Sequence, residues 1–317
     1  MGDCLLLTSP IRVLREEFPG FHLAVLVEAR FAGCFSRNPD VDEVIAVRKK
    51  TDALRLLGRR FDAVINLHGG PTSLAYTLMS RTRRRIGFEQ FQYSRLYSAL
   101  LAPPDPTLHS VEATMAAFRW MGVKSSQPPA LRYETQDEAD QQIRAGLGPG
   151  PYAVLHPPAL METKRWDAAK FIELARAFEG LGLAAVLTCG PGEEGMVQRV
   201  ARGLPSAKVF PGLRIPQLAE LIRGARLFAG NDSGPMHLAA AVGTPVLAMW
   251  GSSDSRRWHP WAVTHKVVQN PFECNPCAGY RCLVASSPLC IESVTLEQAV
   301  AAATQLIGVA GRHSSES

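Results

Sequence analysis

The sequence predicts an α/β protein with two doubly wound, Rossmann-like domains, each built on a parallel sheet covered by helices. Short apolar runs alternate with helical patterns, as in strands joined by crossover helices. The alternation occurs twice, and a polar stretch rich in Pro and Gly, residues 124–151, separates the two halves. The length of 317 residues also favours two domains. We predict domains at residues 1–145 and 151–310, followed by a flexible tail at residues 311–317.

Four short apolar runs in the first half fit strands, and the patterns between them fit helices. Pro10 follows Thr8 and Ser9, and we expect it just inside a helix start, where its missing N–H is harmless. Another helix is expected from about His109 to Met121. The predicted strands of this half are His22–Val27, Glu43–Val47, Phe61–Leu67 and Arg84–Gly87.

The polar stretch between the halves contains one charged helix, Gln136–Ala145, and the second half then repeats the alternation of strands and helices. A final helix is expected at Thr295–Ile307. Between them we predict strands at Tyr152–His156, Ala184–Cys189 and Lys208–Phe210, and helices at Asp167–Leu181, Glu193–Arg202 and Ile215–Arg223.

The most informative segment is residues 227–251, which predicts a buried strand, a turn, a short apolar helix and a second buried strand. The turn brings backbone N–H groups, the Ser233 hydroxyl and the positive end of the helix dipole together at Gly234, an arrangement that suits a phosphate. Asp232 and His237 suit sugar hydroxyls. The segment therefore predicts a site for a phosphorylated or nucleotide-linked ligand.

Two further loops are expected at the same edge of the second sheet. Lys164 can place a positive charge on a diphosphate, although an exposed basic loop is the plainer interpretation. Glu193 and Glu194 can hold ribose hydroxyls, or can simply be carboxylates favoured at a helix start. Residues 190–195 match G-x-G-x-x-G, but they follow the second strand of the domain and include Pro191, so we exclude a dinucleotide site.

Several other polar residues have structural interpretations that compete with functional ones. Asp40 and Asp42 resemble a metal-binding D-x-D pair, but turn chemistry explains them better. His109 is expected at the surface or as a helix cap, and His156 at a strand end where it can touch a ligand. A cysteine cluster can either hold zinc or fill a packed loop; its members are Cys274, Cys277, Cys282 and Cys290.

Charge and composition limit the classes of function. Seven cysteines, with no secretory signal and no apolar run long enough to span a bilayer, favour a reducing cytoplasm. The net charge is +5, but residues 48–95 hold eleven basic and three acidic residues. This segment is either a solvated basic face or a surface for an acidic acceptor or an anionic membrane. Nucleic acid is excluded because no recognition motif accompanies the charges. The basic residues are densest at Arg81, Arg83, Arg84 and Arg85.

Several segments, taken in order, resemble the bacterial lipopolysaccharide heptosyltransferases, glycosyltransferase family 9, and are most similar to the third heptosyltransferase. The resemblance covers nearly the whole chain, and its order and spacing are more specific than any single motif. The similar segments are Gly2-Asp3-Cys-Leu-Leu-Leu-Thr-Ser-Pro-Ile-Arg12, Asn38-Pro-Asp-Val-Asp-Glu43, Phe61-Asp-Ala-Val-Ile-Asn-Leu67, Lys164-Arg-Trp166, Asp232-Ser-Gly-Pro-Met-His237 and Trp250-Gly-Ser-Ser-Asp-Ser-Arg-Arg-Trp-His-Pro-Trp261.

The resemblance implies a GT-B fold, with two domains facing across a cleft, and an inverting transfer without a metal. The donor would be ADP-heptose, bound by the second domain, and the acceptor a lipid A–core sugar, bound by the first. By position, Asp3 matches the catalytic base, and Lys164, Ser233 and Gly234 would stabilise charge on ADP. Asp232 and His237 would line the donor site. The basic segment, Arg81, Arg83 and Arg84 included, fits an acidic acceptor at the inner face of the inner membrane. No nucleic acid partner is expected.

The sequence departs from the family at its start. Family members carry a strand before the Gly-Asp loop, whereas here the sequence begins Met1-Gly2-Asp3. Because that strand is central in a doubly wound sheet, we expect weakened packing in the first domain and Asp3 at a free terminus. A chain extended upstream by one strand is expected to be more stable and more active, and equal melting temperature and turnover would contradict this.

Two other functions remain open at this point. One is a GT-B relative that uses another nucleotide sugar, as a transferase or an epimerase. The other is a non-catalytic protein that binds a nucleotide sugar. An Asp3→Ala variant separates transfer from binding, and a panel of ADP-, UDP- and GDP-sugars separates the donors through protection against thermal unfolding.

Overall fold

The computed structural model describes residues 1–135, 137–277 and 279–313, which form an α/β protein with parallel sheets. The chain divides into two compact units. The larger unit contains Met1–Thr8, Ser36–Asn38 and the chain from Ala130 onward, and the smaller unit contains Ser9–Phe35 and Pro39–Pro129. The domain boundaries expected from the sequence stay a prediction.

A six-stranded parallel sheet forms the centre of the larger unit. The inner strands are buried on both faces because helices cover both sides, and their sequences are accordingly apolar throughout. In chain order the strands are β6 Tyr152–His156, β7 Ala184–Cys189, β8 Lys208–Pro211, β9 Leu227–Asn231, β10 Val246–Met249 and β11 His265–Val268.

The order of these strands places a topological switch point at the centre of the sheet. The spatial order is β11-β10-β9-β6-β7-β8, so the chain first builds outward from β6 in one direction and then returns to build from β9 in the other. His156 at the end of β6 pairs with Gly230 of β9. In such sheets, ligands bind beyond the carboxyl ends of the strands at the switch point, which is where the loops after β6 and β9 lie.

Helices flank this sheet and pack their apolar faces on it. The core on one side includes Trp166, Phe171 and Phe178, all at most 2% exposed. The indole N–H of Trp166 donates to the carbonyl of Val294 at 2.8 Å, which anchors the loop before the first helix of this side. The helices of this unit are α4 Asp137–Leu147, α5 Ala168–Gly180, α6 Glu194–Gly203, α7 Ile215–Arg223, α8 Gly234–Ala241, α9 Ser255–Trp258, α10 Leu289–Glu292 and α11 Leu296–His313.

The predicted strands and helices of the second half are confirmed, most with ends shifted by no more than two residues. The last helix, α11, runs six residues past its predicted end at Ile307, and residues 314–317 of the predicted tail lie outside the described residues. The sequence did not predict β11, α9 or α10, because all three are only four residues long and β11 is also a half-exposed edge strand with little apolar pattern.

The smaller unit holds two separate parallel sheets. One pairs two strands, and the other has three strands in sequence order. Two helices of this unit cover them, α2 Pro71–Met79 and α3 Ser110–Trp120, while the connections after the first two strands are 3-10 helices. The strands are β1 Ala24–Glu28, β2 Glu43–Val47, β3 Ala63–Ile65, β4 Arg84–Phe88 and β5 Ala99–Leu101.

The N-terminal segment differs from the prediction. Residues Gly2–Glu17 form one helix, α1, so Pro10 lies inside a helix and not at its start. A proline in that position removes one helical hydrogen bond. Burial of the apolar side chains around Pro10, together with hydrogen bonds from Thr8 Oγ1 to the Leu5 carbonyl (2.6 Å) and from Ser9 Oγ to the Pro129 carbonyl (2.5 Å), offsets that loss. The expectation that Asp3 lies at a free terminus is therefore wrong.

In the described part of the chain, no helix combines the length and the apolar content that crossing a bilayer requires.

Candidate functional site

The turn between β9 and α8, where the sequence predicts an anion site, lies at the switch point. Ser233 is the N-cap of α8, with an extended backbone, and its hydroxyl makes no capping bond. Pro235 has no N–H and the Met236 N–H donates to the Ser233 carbonyl at 3.2 Å, so among the first three residues of α8 it is Gly234 that offers an N–H at the positive end of the helix dipole. This N–H and the unpartnered Ser233 hydroxyl form a cradle that suits a phosphate.

Asn231, the last residue of β9, fixes the loops on either side of this turn. Its side chain is fully buried, its Oδ1 accepts from the N–H of Trp166 at 3.1 Å, and its Nδ2 donates to the carbonyl of Pro157 at 2.7 Å. These two bonds hold the chain after β6 against the end of β9. The loop that carries Lys164 is therefore positioned by a residue of the phosphate-binding segment itself.

Lys164 and Asp232 form an ion pair at the mouth of this cradle. The Lys164 Nζ lies 2.5 Å from Asp232 Oδ2, and the Ser253 hydroxyl donates to the same oxygen. The Asp232 side chain is 6% exposed and that of Lys164 is 20% exposed. An ammonium group has three donors, so Lys164 keeps N–H groups for an anion while Asp232 fixes its position. The structure brings these two predicted residues together.

Two buried histidines stand on either side of the switch point. Burial lowers the pKa of His156, at the end of β6, to about 4, and it also lowers the pKa of His237, in α8, to about 4. The carboxylates of Asp232 and Asp3 oppose the shift at His237, but burial outweighs them. Both rings are therefore neutral at pH 7 and act by hydrogen bonding, not by charge.

Unpartnered polar atoms mark the same region. Folded proteins satisfy nearly all of their buried polar atoms, so an unpartnered one calls for a specific explanation. Three such atoms surround the β6 and β9 ends, and two more lie on the neighbouring loops that follow β10 and β11. Within the described residues they are His156 Nδ1, Ser233 Oγ, His237 Nδ1, Arg257 Nε and Asn275 Oδ1. A polar ligand at the switch point would supply the missing partners.

Asp3 lies beside this region. It is exposed in the first turn of α1, and its charge acts on His237. Gly2 lies against the His237 ring so closely that a Cβ on Gly2 would be 2.8 Å from His237 Cδ2. The side chain of Met1 contacts Gly234 in the same way. The start of α1 is thus packed on the start of α8, within the larger unit.

Glu193 and Glu194 follow β7, next to the end of β6. Glu193 accepts from the N–H of Gly190 at 2.9 Å, and its Oε2 lies 4.0 Å from His156 Nε2. Glu194 accepts from the N–H of Gly192 at 3.1 Å, and hydrogen bonds from backbone N–H groups lower its pKa. Both carboxylates cap their own turn, as one of the two interpretations expected. The Glu193 side chain is still 37% exposed and reaches the neighbourhood of the switch point.

The predicted basic residues lie in the smaller unit. Arg81, Arg83 and Arg84 are exposed on and just before β4. Arg85 differs from them because its guanidinium donates to the carbonyls of Thr82 at 2.7 Å and Leu96 at 3.1 Å. Three of the four arginines are thus presented to solvent, as a surface for an anion requires.

The polar motifs that had both a structural and a functional interpretation make structural contacts. His109 caps α3 by accepting from the N–H of Val111 at 3.2 Å, and Asp42 accepts from the N–H of Leu23 at 2.7 Å and pairs with Arg15. Among the described residues, no group of three metal-binding side chains could hold a metal ion, so the structure gives no support to the zinc interpretation of the cysteines. Cys274 is exposed, whereas Cys290 is buried.

Sequence reasoning missed two residues that organise the site, Asn231 and Ser253. Asn231 is the last residue of β9 and Ser253 follows the end of β10 by four residues, and this position at the carboxyl end of a parallel strand was the available signal. Ser253 was noted only as part of a family motif, because a serine in a turn has an ordinary structural explanation.

Comparison with known proteins agrees with this geometry. The model of glycosyltransferase family 9 (heptosyltransferase) matches residues 52–286. The lipopolysaccharide heptosyltransferase 3 of Escherichia coli is 29% identical over 289 residues, covering 82% of this chain and 84% of the relative. The similarity to the third heptosyltransferase expected from the sequence is confirmed.

Two solved structures define the fold. The glycosyltransferase family 9 protein from Veillonella parvula superposes with a TM-score of 0.86 at 22% identity, covering 97% of this chain and 94% of that one. The E. coli heptosyltransferase WaaC with ADP-2-deoxy-2-fluoro heptose superposes with a TM-score of 0.71 at 22% identity, covering 97% and 96%. The predicted GT-B class is confirmed. The chain belongs to glycosyltransferase family 9, the heptosyltransferases, and is a glycosyltransferase.

Proposed function

We propose that this protein is an inverting heptosyltransferase that moves heptose from ADP-heptose to a sugar of the lipopolysaccharide inner core. The observation that carries the proposal is the position of Asp3: a carboxylate at the start of α1 lies beside the phosphate cradle at the start of α8. A base next to a diphosphate site is what transfer from a nucleotide sugar requires. Its relatives are lipopolysaccharide heptosyltransferases, which supports the acceptor class, and the WaaC structure with ADP-2-deoxy-2-fluoro heptose supports the donor.

The diphosphate of the donor would occupy the cradle. The Ser233 hydroxyl and the Gly234 N–H would contact the phosphate oxygens, and Lys164 would neutralise their charge. Asp232 would hold Lys164 in place and accept from a sugar hydroxyl with its remaining lone pairs. His237 is neutral and its Nδ1 has no partner, so this atom would form a hydrogen bond with a polar group of the heptose or its phosphate. Glu193 and Glu194 would contact the ribose.

In the transfer step, Asp3 would accept the proton of the acceptor hydroxyl while that oxygen attacks the anomeric carbon. The bond from this carbon to the diphosphate oxygen breaks on the opposite face, so the configuration inverts. ADP leaves with the electron pair, and its developing charge is met by Lys164 and the α8 dipole. This positive charge is fixed in place before the reaction, so the mechanism as proposed uses no metal.

The acceptor would be bound by residues 1–145 and the donor by residues 151–310. Arg81, Arg83 and Arg84 are exposed cations in the first of these ranges and suit the phosphates of a lipid A–core acceptor. Such an acceptor is held in a membrane, so the protein would act in the cytoplasm, at the inner face of the inner membrane, as a peripheral protein.

A transfer assay with a matched variant tests the proposal. The protein is incubated with ADP-heptose and an inner-core acceptor that lacks the branching heptose, and the product is analysed by mass spectrometry. We expect one added heptose with wild type and almost none with Asp3→Asn, while ADP binding by calorimetry stays the same in both. Binding of ADP-heptose without transfer by wild type would favour a non-catalytic binding protein, and transfer only from a UDP-sugar would contradict the donor assignment.

A further inference from the structure

His156 is a buried polar side chain at the switch point that has no role in the transfer step described above. It ends β6, is 3% exposed, and pairs with Gly230 of β9 in the sheet. Its ring lies beside that of Phe228, with 6.5 Å between the ring centroids and 24° between the planes. A Cβ at Gly230 would lie 3.0 Å from the Phe228 ring, so the missing side chain at position 230 makes room for that ring. The imidazole is therefore packed in a fixed position.

A histidine is an unfavourable residue for this position as far as stability is concerned. Burial lowers its pKa to about 4, so the ring is neutral at pH 7, and within the described residues its Nδ1 has no hydrogen-bond partner. A buried polar atom without a partner costs free energy that an apolar side chain of similar size does not cost. Positions that break such a rule are commonly functional. His156 therefore calls for a role other than packing.

The other ring nitrogen of His156 faces Glu193. Nε2 of His156 lies 4.0 Å from Oε2 of Glu193, in the loop that follows β7. A neutral imidazole has one N–H and one lone pair, and a lone pair turned toward a carboxylate is repelled. The carboxylate therefore favours the tautomer with its proton on Nε2. Because 4.0 Å is longer than a hydrogen bond, this contact is an attraction between the N–H dipole and the charge of the carboxylate.

Only one of the two oxygens of the Glu193 carboxylate is held by the described part of the chain. Oε2 faces His156 and accepts from the N–H of Gly190 at 2.9 Å, whereas Oε1 accepts no hydrogen bond there. The carboxylate lies so close to Gly190 that a Cβ on this glycine would be 3.0 Å from Oε2. The side chain of Glu193 is 37% exposed, so Oε1 is available to a ligand at the switch point.

We propose that His156 is a positioning residue, which orients the Glu193 carboxylate so that its Oε1 accepts a hydrogen bond from a ribose hydroxyl of the bound nucleotide. A carboxylate that is fixed before binding loses less conformational entropy than a free glutamate side chain does. A nucleotide without that hydroxyl leaves Oε1 without its partner and binds more weakly. The inference rests on the proposed function for the place of the ribose near Glu193, and adds the residue that makes this contact selective.

Binding of ribose and deoxyribose nucleotides tests this role without a donor sugar or an acceptor. Calorimetry compares ADP with 2′-deoxy-ADP and 3′-deoxy-ADP, and then UDP with 2′-deoxy-UDP and 3′-deoxy-UDP, so that the result does not depend on the base. We call the ratio of the affinities for the ribose and the deoxy form the ribose selectivity. For at least one of the two hydroxyls, we expect a ribose selectivity of about tenfold to 100-fold in wild type. His156→Leu should lower it to less than about threefold, mainly through weaker binding of the ribose form.

Two further variants separate positioning from packing. His156→Gln keeps an amide N–H near the place of Nε2 and should retain most of the ribose selectivity. His156→Leu should melt no lower than wild type, because it removes a buried polar atom without a partner. Glu193→Ala should also lose the selectivity, and H156L/E193A should lose no more than Glu193→Ala alone, because His156 acts through Glu193.

The matched control is His109→Asn. His109 is likewise a histidine at 3% exposure, and it caps α3 in the smaller unit. Asparagine is also a good N-cap, so the start of α3 is preserved. This variant replaces a buried histidine at a distance from the switch point in the chain, and it is expected to have the ribose selectivity of wild type.

Any of four results would overturn the proposal. They are a wild type without ribose selectivity, which includes one that binds none of these nucleotides, selectivity retained in His156→Leu, equal loss in His156→Leu and His109→Asn, and loss in His156→Gln together with a lower melting temperature of both His156 variants, which would make the role one of packing. Heptose transfer separates the two proposals. Transfer by a wild type without ribose selectivity refutes the role of His156 alone, and ribose selectivity in a wild type that transfers no heptose refutes the proposed function alone.

Discussion

At the scale of single residues, the proposed chemistry depends most on Asp3. We expect Asp3→Asn to lower kcat by about 100-fold to 10,000-fold, because the amide cannot accept the proton of the acceptor hydroxyl. The side chain is exposed, so stability and donor affinity should be unchanged. Steady-state kinetics with calorimetric donor binding measures both quantities. Glu16→Gln, on the same helix and 58% exposed, is the control; if the two variants have equal turnover, Asp3 is not the base.

The ion pair between Lys164 and Asp232 gives a second prediction. Lys164→Met leaves the Asp232 carboxylate, which is 6% exposed, with the Ser253 hydroxyl as its hydrogen-bond donor, so the free energy of unfolding should fall by about 1–3 kcal/mol. Donor affinity should fall as well, because a charge at the diphosphate is lost. Urea unfolding and donor titration check the two effects. The control is Lys266→Met at an exposed position, and unchanged donor affinity in Lys164→Met would contradict the assignment.

The two buried histidines predict how stability depends on pH. Burial lowers the pKa of His156 and of His237 from 6.5 to about 4, so between these values the unfolded chain binds protons that the folded chain does not. Stability should therefore be complete above about pH 6.5 and should fall as the pH is lowered toward 4, by about 1 kcal/mol per pH unit for each histidine. Urea unfolding at pH 7, 5.5 and 4.5 measures this dependence.

A non-titrating variant isolates one histidine. In His156→Gln the loss of stability per pH unit below 6.5 should be smaller than in wild type by about 1 kcal/mol. This difference holds whatever change in the free energy of unfolding the substitution itself causes at pH 7. An identical pH dependence in the two proteins would mean that His156 is not buried in its neutral form.

Charged and hydroxyl-bearing residues could be predicted from the sequence as site candidates, because such a side chain in a turn after a strand has few structural roles. The structure places Lys164, Asp232, Ser233 and His237 around one switch point. The strand-end position of Asn231 was a signal, but its role could not be predicted, because that role consists of two hydrogen bonds to residues 65 and 74 positions away in the chain. Contacts of that separation become visible only once the strands are paired.

At the scale of elements, the contact between the starts of α1 and α8 keeps Asp3, the proposed base, next to the proposed phosphate cradle at Ser233 and Gly234. A methyl group on Gly2 would lie 2.8 Å from His237, whose buried ring cannot move away freely. We therefore expect Gly2→Ala to push the first turn of α1 off α8 and to lower kcat by at least about tenfold, with a smaller effect on donor affinity.

Kinetics and the melting temperature of Gly2→Ala measure this effect. Gly20→Ala is the matched control, because a Cβ at Gly20 meets nothing within 4 Å. If Gly2→Ala has the turnover of wild type, the packing of α1 on α8 has no part in the activity.

The helix α1 also shows where local sequence signals fail. Pro10 after Thr8 and Ser9 has the pattern of a helix start, and the preceding Gly-Asp pair has that of a loop. The apolar residues Leu5, Leu6 and Ile11 are nevertheless buried, and this burial outweighs the one hydrogen bond that Pro10 removes. In the second half no such conflict exists, since apolar runs of four to six residues alternate with helical patterns, and the elements were predicted closely.

At the scale of the whole molecule, the alternation of strands and helices carries information about the site as well as the fold. A parallel sheet whose order reverses between β6 and β9 has one switch point, and the anion cradle, the ion pair and both buried histidines lie at it. The sequence predicted the strands but not their order in space, because pairing depends on crossover connections that leave no local pattern. The family resemblance implied the GT-B class, which the local patterns alone did not.

The central claim, heptose transfer from ADP-heptose, is tested most directly by mass spectrometry of an inner-core acceptor after incubation with an equal mixture of ADP-heptose, UDP-glucose and GDP-mannose. We predict an acceptor heavier by one heptose, made by wild type and lost in Asp3→Asn. A hexose on the acceptor, or an unmodified acceptor in the presence of a protein that binds ADP-heptose, would contradict the claim.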